Sequence, residues 1–402
     1  MIKKINVSDL CPNMYISDLN CGWMDHNFLR THFMVLHDSD IEEIIAAGIH
    51  HVYIDTERGL DVQQAPSAEE VSEQLENQMQ HLGQTSKRAV SKRVAMQDEL
   101  IKARRIFSEA NAIVNTVLLD CRMGKQVEVE RLEPIIASIT GSIFRNPDAI
   151  ISLLKIKQAD KYTFQHSVAV STLLISFCRA MEIDRETIEL VGIGGLLHDI
   201  GKMKVPDRIL NKPGKLTEKE FELMKKHVSY GSVLLENTPG LSPVSISIAS
   251  EHHERYDGSG YPLGLKGDEI SLFGQMAAIV DVYDALTSDR IYHNGIEPTD
   301  VLKKMLEWSE HHFNTALVHN FIRTIGIYPV GTLVRLESGY LAVVIEQNHD
   351  DLLHPKVRYI FNAQSHSYVP PRDIDLAKPG GHDRITTVEA PSRWRIDVNR
   401  HF

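Results

Sequence analysis

The segment GLLHDIGK, residues 195–202, joins an apolar run to a histidine and a carboxylate. Its glycine and two leucines are residues typical of a buried wall. His198 and Asp199 follow directly, although such side chains need water, a proton or a metal ion when they are buried. Gly201 then interrupts the pattern and Lys202 adds a positive charge. The segment therefore predicts either a protein surface or a polar pocket lined by helices.

The chain has 402 residues, of which 43% are hydrophobic and 24% are charged. These values are typical of globular proteins, and the length predicts two or three domains with separate cores. The formal charge of −11 argues against duplex DNA or an anionic membrane as the main partner. A small anionic ligand is compatible with this charge, because a local site can be positive on an acidic surface.

The cysteines favour a reducing compartment. Cys11, Cys21, Cys121 and Cys178 are scattered without a CxxC spacing, which is typical of reduced thiols and not of a disulfide framework or a zinc ribbon. No apolar run approaches the ~18 residues of a membrane span. The start, MIKKINVSDL, has no apolar stretch that would indicate a signal peptide. We therefore expect a cytoplasmic protein that does not enter a membrane.

The first part of the chain predicts a small α+β domain over residues 1–60. Its helix is expected to begin with Asp38 or Ser39 as the cap and to end at Gly48, before a strand at residues 51–54. Residues 61–95 are polar and nearly free of aromatic side chains. We interpret them as a solvated linker with helical tendency.

Residues 96–328 predict an all-helical domain. Apolar residues recur at alternating spacings of three and four between 100 and 121, and again between 132 and 143. Further helical patterns cover residues 165–182, 186–198, 217–235, 242–254, 272–290 and 298–325. Almost no alternating pattern typical of strands occurs in this part of the chain.

The residue pattern changes again over residues 329–402. The runs TLVRL, YLAVVIEQ and KVRYIF are rich in β-branched and aromatic residues, and turn sequences separate them. They predict a small antiparallel β unit with an irregular tail. The fold class expected for the whole chain is mainly α, with a small α+β N-terminal domain and a small C-terminal β unit.

Seven histidines and aspartates in or at the ends of the helical patterns are the candidates for chemistry. They are His166, His198, Asp199, His227, His252, His253 and Asp281. A single histidine at a helix end is more often a cap, and a single aspartate there is usually a surface residue. Seven together are harder to explain in that way, because buried ionisable groups without partners cost several kcal/mol each, roughly. A pair of divalent cations would hold such a cluster together.

The ligand types restrict the metal. Five imidazoles and two carboxylates without a thiolate favour iron or manganese, with nickel and zinc as alternatives. Seven ligands are too many for one tetrahedral ion, so we expect two ions, with Asp199 as the bridging ligand. Two metals ~3.5–4 Å apart would generate hydroxide at neutral pH and stabilise an in-line displacement at phosphorus. Lys202 is placed to contact a phosphate oxygen, and Arg290 a second phosphate or a guanine edge, although either residue alone is more often an ordinary surface charge.

Two further features accompany the candidates. The sequence DGSGYP, from Asp257 to Pro262, contains two glycines and by itself predicts a tight turn. Asp284 lies three residues after Asp281, on the same helix face, and we expect it to hydrogen-bond to a metal ligand.

Several motifs together resemble the HD-GYP domain, a branch of the HD phosphohydrolase superfamily. They are HDIGK at 198–202, HHERYDGSGYP at 252–262 and DVYDALTSDR at 281–290, with His166 upstream and His227 between them. The resemblance covers residues 100–328. The first 60 residues are similar to a small uncharacterised domain often found before HD-GYP domains in bacteria, through VSDLCPNMYI, LNCGW and GIHHVYIDTERG.

This resemblance implies hydrolysis of cyclic di-GMP, or in some relatives of 3′3′-cyclic GMP-AMP, to a linear dinucleotide or to mononucleotides. It implies that the seven candidates are metal ligands and that Lys202 and Arg290 contact phosphate. Members with three metals carry a glutamate where this chain has Tyr162, so we expect two metals. Ile291 and His293 replace a proline and a basic residue of the family, and His293 is kept as a candidate substrate-binding residue.

Two alternatives to a phosphodiesterase stay open. The first is a catalytically weak receptor that binds a cyclic dinucleotide and signals through the N-terminal domain or the DGSGYP segment. The second is an oxygenase with two iron ions held by similar ligands, against which the DGSGYP segment argues. Protein partners through that segment or the N-terminal domain, and a homodimer, are further expectations.

Overall fold

The computed structural model describes residues 1–22, 31–84, 94–155, 162–289, 295–378 and 383–401. Within these ranges the chain is rich in helices, with one small antiparallel sheet near each terminus. This architecture confirms the fold class expected from the sequence. None of the four cysteines forms a disulfide.

The N-terminal unit consists of four short strands and one helix. The strands are β1 (Ile2–Asn6), β2 (Tyr15–Asp18), β3 (Phe33–Met34) and β4 (His51–Asp55), in the sheet order β1-β4-β2-β3. The helix α1 (Asp38–Ala46) begins after His37, so the expected cap at Asp38 or Ser39 is wrong by one or two residues. The backbone turns at Gly48, where φ is +70°. Alternate residues of β4 face the core of this unit, because Val52 and Ile54 are fully buried.

The helix α2 (Ala68–Gln84) occupies 17 of the 35 residues interpreted as a solvated linker. The helix agrees with the expected helical tendency, and most of its side chains are exposed, but one face is packed against the protein. Val71, Met79 and Leu82 are buried, and the last two belong to the main hydrophobic core. The buried apolar side chains of α2 are few and lie on one face of the helix. The composition of the segment is therefore polar, although one side of the helix is packed against the protein.

The helical unit follows. Its helices are α3 (Met96–Arg122), α4 (Glu133–Arg145), α5 (Pro147–Ile151), α6 (Tyr162–Ala180), α7 (Arg185–Leu197), α8 (Asp207–Leu210), α9 (Glu218–Lys225), α10 (His227–Glu236), α11 (Pro243–Glu251), α12 (Leu272–Thr287), α13 (Pro298–Trp308) and α14 (Thr315–Ile325). The apolar stripes expected before residue 145 correspond to α3 and α4, whose inward residues are buried.

Two of the expected helices are divided in the structure. The pattern over 217–235 is broken at Lys226, which separates α9 from α10. The pattern over 298–325 is broken between α13 and α14, where the Asn314 side chain accepts hydrogen bonds from the first backbone N–H groups of α14. Such a cap satisfies groups that have no partner inside a helix, so Asn314 favours a new helix start.

Two helices form the centre of the helical unit. In α6 residues 166–178 are all buried, and in α12 residues 274–281 are all buried. A helix that is apolar on every side is typical of the interior of a large domain. Polar side chains on these two helices are therefore enclosed by protein.

The C-terminal sheet has the order β8-β7-β6-β5-β9, with antiparallel neighbours. Its strands are β5 (Leu333–Leu336), β6 (Tyr340–Glu346), β7 (Lys356–Asn362), β8 (Ser367–Asp375) and β9 (Ile385–Val388), and a short helix α15 (Pro391–Trp394) follows. The three expected strands are β5 to β7. The expected irregular tail is wrong, because it contributes both edge strands. Pro370 and Pro371 interrupt the pattern of β8, and prolines are tolerated at a sheet edge.

The structure also bears on membrane association. In the described ranges, no helix combines the length and the apolar character that a bilayer crossing requires.

The burial of α2 leads to a stability prediction. We expect Leu82→Ala to lower the free energy of unfolding by about 2–5 kcal/mol, because it leaves a cavity in the main core. Urea denaturation followed by far-UV circular dichroism measures this change. Ile101→Ala on α3 is the control, since Ile101 is 76% exposed, and should change the value by less than about 0.5 kcal/mol. Equal effects of the two substitutions would contradict a packed α2.

Candidate metal centre

The structure brings all seven candidate ligands together in one cluster, which we call the ligand pocket. They are His166, His198, Asp199, His227, His252, His253 and Asp281. Six of the seven residues are buried, and His253 is half-buried. Five helices supply them, since α6 and α12 carry one each and the others lie at ends of α7, α10 and α11.

Backbone carbonyl groups orient three of the imidazoles. Nδ1 of His198 lies 2.8 Å from the Gly195 carbonyl oxygen, and Nδ1 of His252 lies 2.9 Å from that of Ala249. Nδ1 of His227 lies 2.7 Å from the Met224 carbonyl oxygen, one turn earlier. A carbonyl oxygen only accepts, so Nδ1 of each ring must donate. In the neutral rings the lone pair is then on Nε2, which is the arrangement of a metal-binding histidine.

A carboxylate orients the imidazole of His166. Nδ1 of His166 lies 2.7 Å from Oδ2 of Asp284, which is buried on α12. This contact agrees with the expectation that Asp284 hydrogen-bonds to a candidate ligand. Nε2 of His166 points the other way and lies 2.9 Å from Oδ1 of Asp281.

Asp199 occupies the middle of the ligand pocket. Its Oδ1 lies 3.3 Å from Nε2 of His227 and 3.8 Å from Nε2 of His252. Its Oδ2 lies 3.4 Å from Nε2 of His198 and 3.6 Å from Nε2 of His166. The two carboxylate oxygens therefore face two different groups of imidazoles, as a bridging ligand would.

The ligand atoms form two groups with the spacing of metal sites. One group consists of His227, His252 and His253, and the other of His166, His198 and Asp199. Within each group the ligand atoms lie within 4.8 Å of one another.

The electrostatics of the pocket favour carboxylates that are ionised. Burial alone would raise the pKa of Asp199, but Lys202 and His198 outweigh it and hold that pKa well below its usual range. Burial likewise opposes ionisation of Asp281, and the nearby imidazoles, His166 first, hold its pKa well below the usual range. Both carboxylates are therefore negative at neutral pH, the form that binds a cation.

The pKa values of the imidazoles shift in different directions. Burial and the neighbouring His198 ring lower the pKa of His252 to about 3, and burial lowers that of His253 well below its usual value. At His198 burial also lowers the pKa, but the Asp199 and Asp281 carboxylates outweigh it and raise the pKa. The field that attracts a proton to His198 would also attract a metal cation.

Two polar atoms of the pocket lack a hydrogen-bond partner, and this bears on whether the residues fit a metal ion. Nε2 of His198 and Oδ1 of Asp199 are buried and have no hydrogen-bond partner. A buried polar atom that lacks a partner costs about 1–3 kcal/mol. A divalent cation would satisfy both atoms, and nitrogen and oxygen donors without thiolate suit iron, manganese, nickel or zinc. The residues therefore fit a metal centre.

A close backbone approach fixes the His198-Asp199 pair against α10. The turn Ile200–Lys204 packs on that helix. A Cβ atom at Gly201 would lie 1.9 Å from the His227 carbonyl oxygen and 2.5 Å from the Gly231 nitrogen. Only glycine allows this distance, so Gly201 holds two candidate ligands of the first segment close to a third.

Lys202 lies at the edge of the pocket. Its Nζ is 2.5 Å from Oδ2 of Asp199, and its side chain is 22% exposed. The structure thus places the expected phosphate contact between the pocket and solvent. Arg290, Ile291 and His293 lie outside the described residues, and so does the side chain of Tyr162.

The DGSGYP loop (residues 257–262) borders the pocket. The Tyr261 ring stacks on His253 with 4.8 Å between ring centroids. Glu254, to which the sequence analysis gave no role, is buried and accepts hydrogen bonds from the backbone nitrogens of Leu263, at 2.8 Å, and Leu265, at 3.0 Å. The available signal was an acidic residue three positions before the glycine-rich DGSGYP segment, because backbone N–H groups in and after such a turn need acceptors.

The N-terminal unit contacts the same loop. Nε2 of His50 lies 2.7 Å from Oδ2 of Asp257. Nη1 of Arg255 donates to the Ala47 carbonyl oxygen at 3.3 Å. A Cβ atom at Gly48 would lie 2.6 Å from Oγ of Ser259, so the two segments are in close contact. The protein partner expected at this loop stays a prediction, and within the chain the loop already has a partner in the N-terminal unit.

Comparison with known families matches both parts of the chain. A family model described as HD domain matches residues 148–317, and one described as a domain of unknown function, DUF3391, matches residues 2–132. A cyclic di-GMP phosphodiesterase of Pseudomonas aeruginosa is 39% identical over 400 residues, which cover 98% of this chain and 94% of that protein.

Other relatives match a shorter part. A 3′3′-cGAMP-specific phosphodiesterase of Vibrio cholerae is 43% identical over 123 residues, which cover 30% of this chain and 24% of that protein. Among solved structures, a protein of Bdellovibrio bacteriovorus described as HDG"Y"P has a TM-score of 0.47 and 18% sequence identity, over 80% of this chain and 98% of its own.

The approach at Gly201 predicts an effect on metal content. We expect Gly201→Ala to lose most of the metal that the wild-type chain retains, because the added Cβ must push the His198-Asp199 pair away from His227. Elemental analysis by mass spectrometry after anaerobic purification measures the retained metal.

Gly141→Ala is the matched control. The Cβ added there meets only Nη1 of the Arg145 side chain, at 3.2 Å. This variant should keep the wild-type metal content. If Gly201→Ala folds and also keeps it, the role given to the close approach is wrong.

Proposed function

The chain belongs to the HD-GYP family of HD-domain phosphohydrolases, and from this premise we propose that it hydrolyses bacterial cyclic dinucleotides. The proposed substrates are cyclic di-GMP and 3′3′-cyclic GMP-AMP, and the products are the linear dinucleotide or mononucleotides. One observation carries the proposal. The chain brings seven candidate histidine and aspartate ligands together in one pocket, with a lysine at its edge.

The residues proposed to hold two divalent metal ions are those of the ligand pocket. They are His166, His198, Asp199, His227, His252, His253 and Asp281. Asp199 is the proposed bridge, because its two oxygens face the two groups of imidazoles. Iron or manganese is the proposed pair and nickel or zinc the alternative, and nitrogen and oxygen donors without thiolate are compatible with each of these ions. Bound there, the metals would supply a water of lowered pKa and neutralise charge on phosphate.

In the proposed reaction water adds its oxygen to phosphorus and the bond from phosphorus to the 3′ oxygen breaks. The 3′ oxygen leaves with a proton from solvent, and the water gives up one proton. Negative charge increases on the phosphate oxygens during this displacement. Lys202, whose ammonium lies at the edge of the pocket beside Asp199, is placed to stabilise that charge.

Two residues are proposed to position the centre. The Tyr261 ring lies flat against His253, which limits rotation of that imidazole. Glu254 holds the chain that follows the DGSGYP loop through two backbone hydrogen bonds, so it keeps Tyr261 in place. Arg290 and His293 stay candidate substrate contacts. The cytoplasmic location and the homodimer stay predictions.

The test is a hydrolysis assay with wild-type protein and Asp199→Ala. The proteins are purified anaerobically, loaded with Fe²⁺ or Mn²⁺, and incubated with cyclic di-GMP, 3′3′-cyclic GMP-AMP or cyclic di-AMP, and the products are separated by chromatography. We expect wild-type turnover of at least one guanine-containing substrate. Asp199→Ala should lose metal and reduce the rate by about 10²–10³ or more, because the central carboxylate that faces both groups of imidazoles is gone.

Asp350→Ala is the matched control, since Asp350 is exposed and lies in the C-terminal part of the chain. It should keep the wild-type rate. An Asp199→Ala protein that cleaved cyclic di-GMP at the wild-type rate would exclude the bridging role. Tight binding of a cyclic dinucleotide by the metal-loaded wild type without any turnover would favour the receptor alternative.

A further inference from the structure

A second cluster of ligand-type side chains lies between the N-terminal unit and the helical unit. It consists of His51 on β4 and of Glu310 and His311, which follow α13. Each residue offers a ligand atom, and the three atoms lie within 4.8 Å of one another. None of the three belongs to the ligand pocket.

Buried contacts fix the backbone on both sides of this cluster. Alternate residues of β4 point away from the N-terminal core, and His51 and Tyr53 are on that outer face. The Tyr53 hydroxyl donates to Oε1 of Glu307 on α13, at 2.9 Å, and Nζ of Lys4 also lies 2.9 Å from that oxygen. Glu307 is buried, so the strand and the end of the helix are held together one turn before Glu310.

The three side chains of the cluster have no polar partner in the described part of the chain. No hydrogen bond or ion pair involves the side chains of His51, Glu310 or His311, although both histidines are half-buried. Their contacts are between rings. His311 stacks on His50 with 4.1 Å between centroids, and its centroid lies 5.2 Å from that of His51.

Both imidazoles are in the form that binds metal. Burial lowers the pKa of His51, and Lys4 and His311 lower it further. Burial and His50 lower the pKa of His311. The rings are therefore neutral at pH 7, and each has a nitrogen lone pair available.

The cluster is open to solvent. His51 and Glu310 border two grooves, each of about 510 Å³, and His311 borders the second of them. An ion can therefore enter from water. Water can also provide a further ligand, which two imidazoles and one carboxylate leave open.

We propose that His51, Glu310 and His311 bind one Zn²⁺ ion between the N-terminal unit and the helical unit. Zinc takes imidazole nitrogen at ~2.0–2.1 Å and carboxylate oxygen at ~2.0–2.2 Å, and the three ligand atoms lie within 4.8 Å of one another. A hard ion such as Mg²⁺ prefers a shell of oxygen ligands and does not suit this set. The ion joins β4 to the chain after α13, beside the contact of His50 with Asp257 of the DGSGYP loop.

The proposal is tested by the zinc stoichiometry of the full chain. Metal is removed with a chelator, and the protein is titrated with Zn²⁺ against a chromophoric competitor. Wild type should bind one equivalent more than His51→Gln and one more than His311→Gln, whatever the ligand pocket binds. Glu310→Gln should weaken the same equivalent. Saturating zinc should raise the melting temperature of wild type more than that of any of the three variants, because a ligand that binds the folded state stabilises it.

His354→Gln is the matched control, since its imidazole pairs with Asp351 in the C-terminal part of the chain. It should bind as many equivalents as wild type. Far-UV circular dichroism without zinc shows whether each variant folds, and the exposed Glu310 keeps the test decisive if a histidine variant does not. Equal zinc stoichiometry and equal zinc-dependent melting temperatures in wild type and all folded variants would overturn the proposal. The hydrolysis assay does not enter this test, so failure of the proposed function would leave it intact.

Discussion

The buried carboxylate of Asp199 is the group on which the arrangement of the helical unit depends. Moving an ionised carboxylate out of water costs several kcal/mol unless charges and hydrogen bonds compensate. Here four imidazoles surround it, on α6 and α10 and at the ends of α7 and α11, together with the Lys202 ammonium of the turn Ile200–Lys204. The helix ends must therefore meet at one point. Gly201 is the backbone counterpart of this constraint, because it allows the His198-Asp199 pair to lie directly against α10.

The N-terminal unit is connected to this centre through polar contacts more than through a shared apolar core. Glu307 receives Lys4, Tyr53 and Asn20, all from the N-terminal unit, at one buried position. His50 then reaches Asp257 of the loop whose Tyr261 stacks on a candidate ligand. A change in the position of the N-terminal unit would therefore move the DGSGYP loop, because the hydrogen bonds and ion pairs between them are directional and break when one side shifts.

The sequence predicted the elements that depend on neighbouring residues. It did not predict the features that depend on contacts between residues far apart in the chain. The period of three and four identified α3 and α4, and paired motifs such as HD and HH indicated candidate ligands that one helix end presents together. The burial of α2 was missed because Met79 and Leu82 acquire their partners only from the folded core. β8 was missed because its prolines are tolerated only at a sheet edge. The role of Glu254 depends on the path of the following loop. The cluster of His51 with His311 joins residues 260 positions apart, which no local pattern reveals.

Anomalous X-ray diffraction from crystals of the metal-loaded chain tests the central claim most directly. The account predicts two separate metal peaks inside the ligand pocket, one beside His166 and His198 and one beside His227 and His252, with Asp199 in contact with both. A single peak that Asp199 does not touch, or no peak in this pocket in a chain that hydrolyses cyclic dinucleotides, would contradict it.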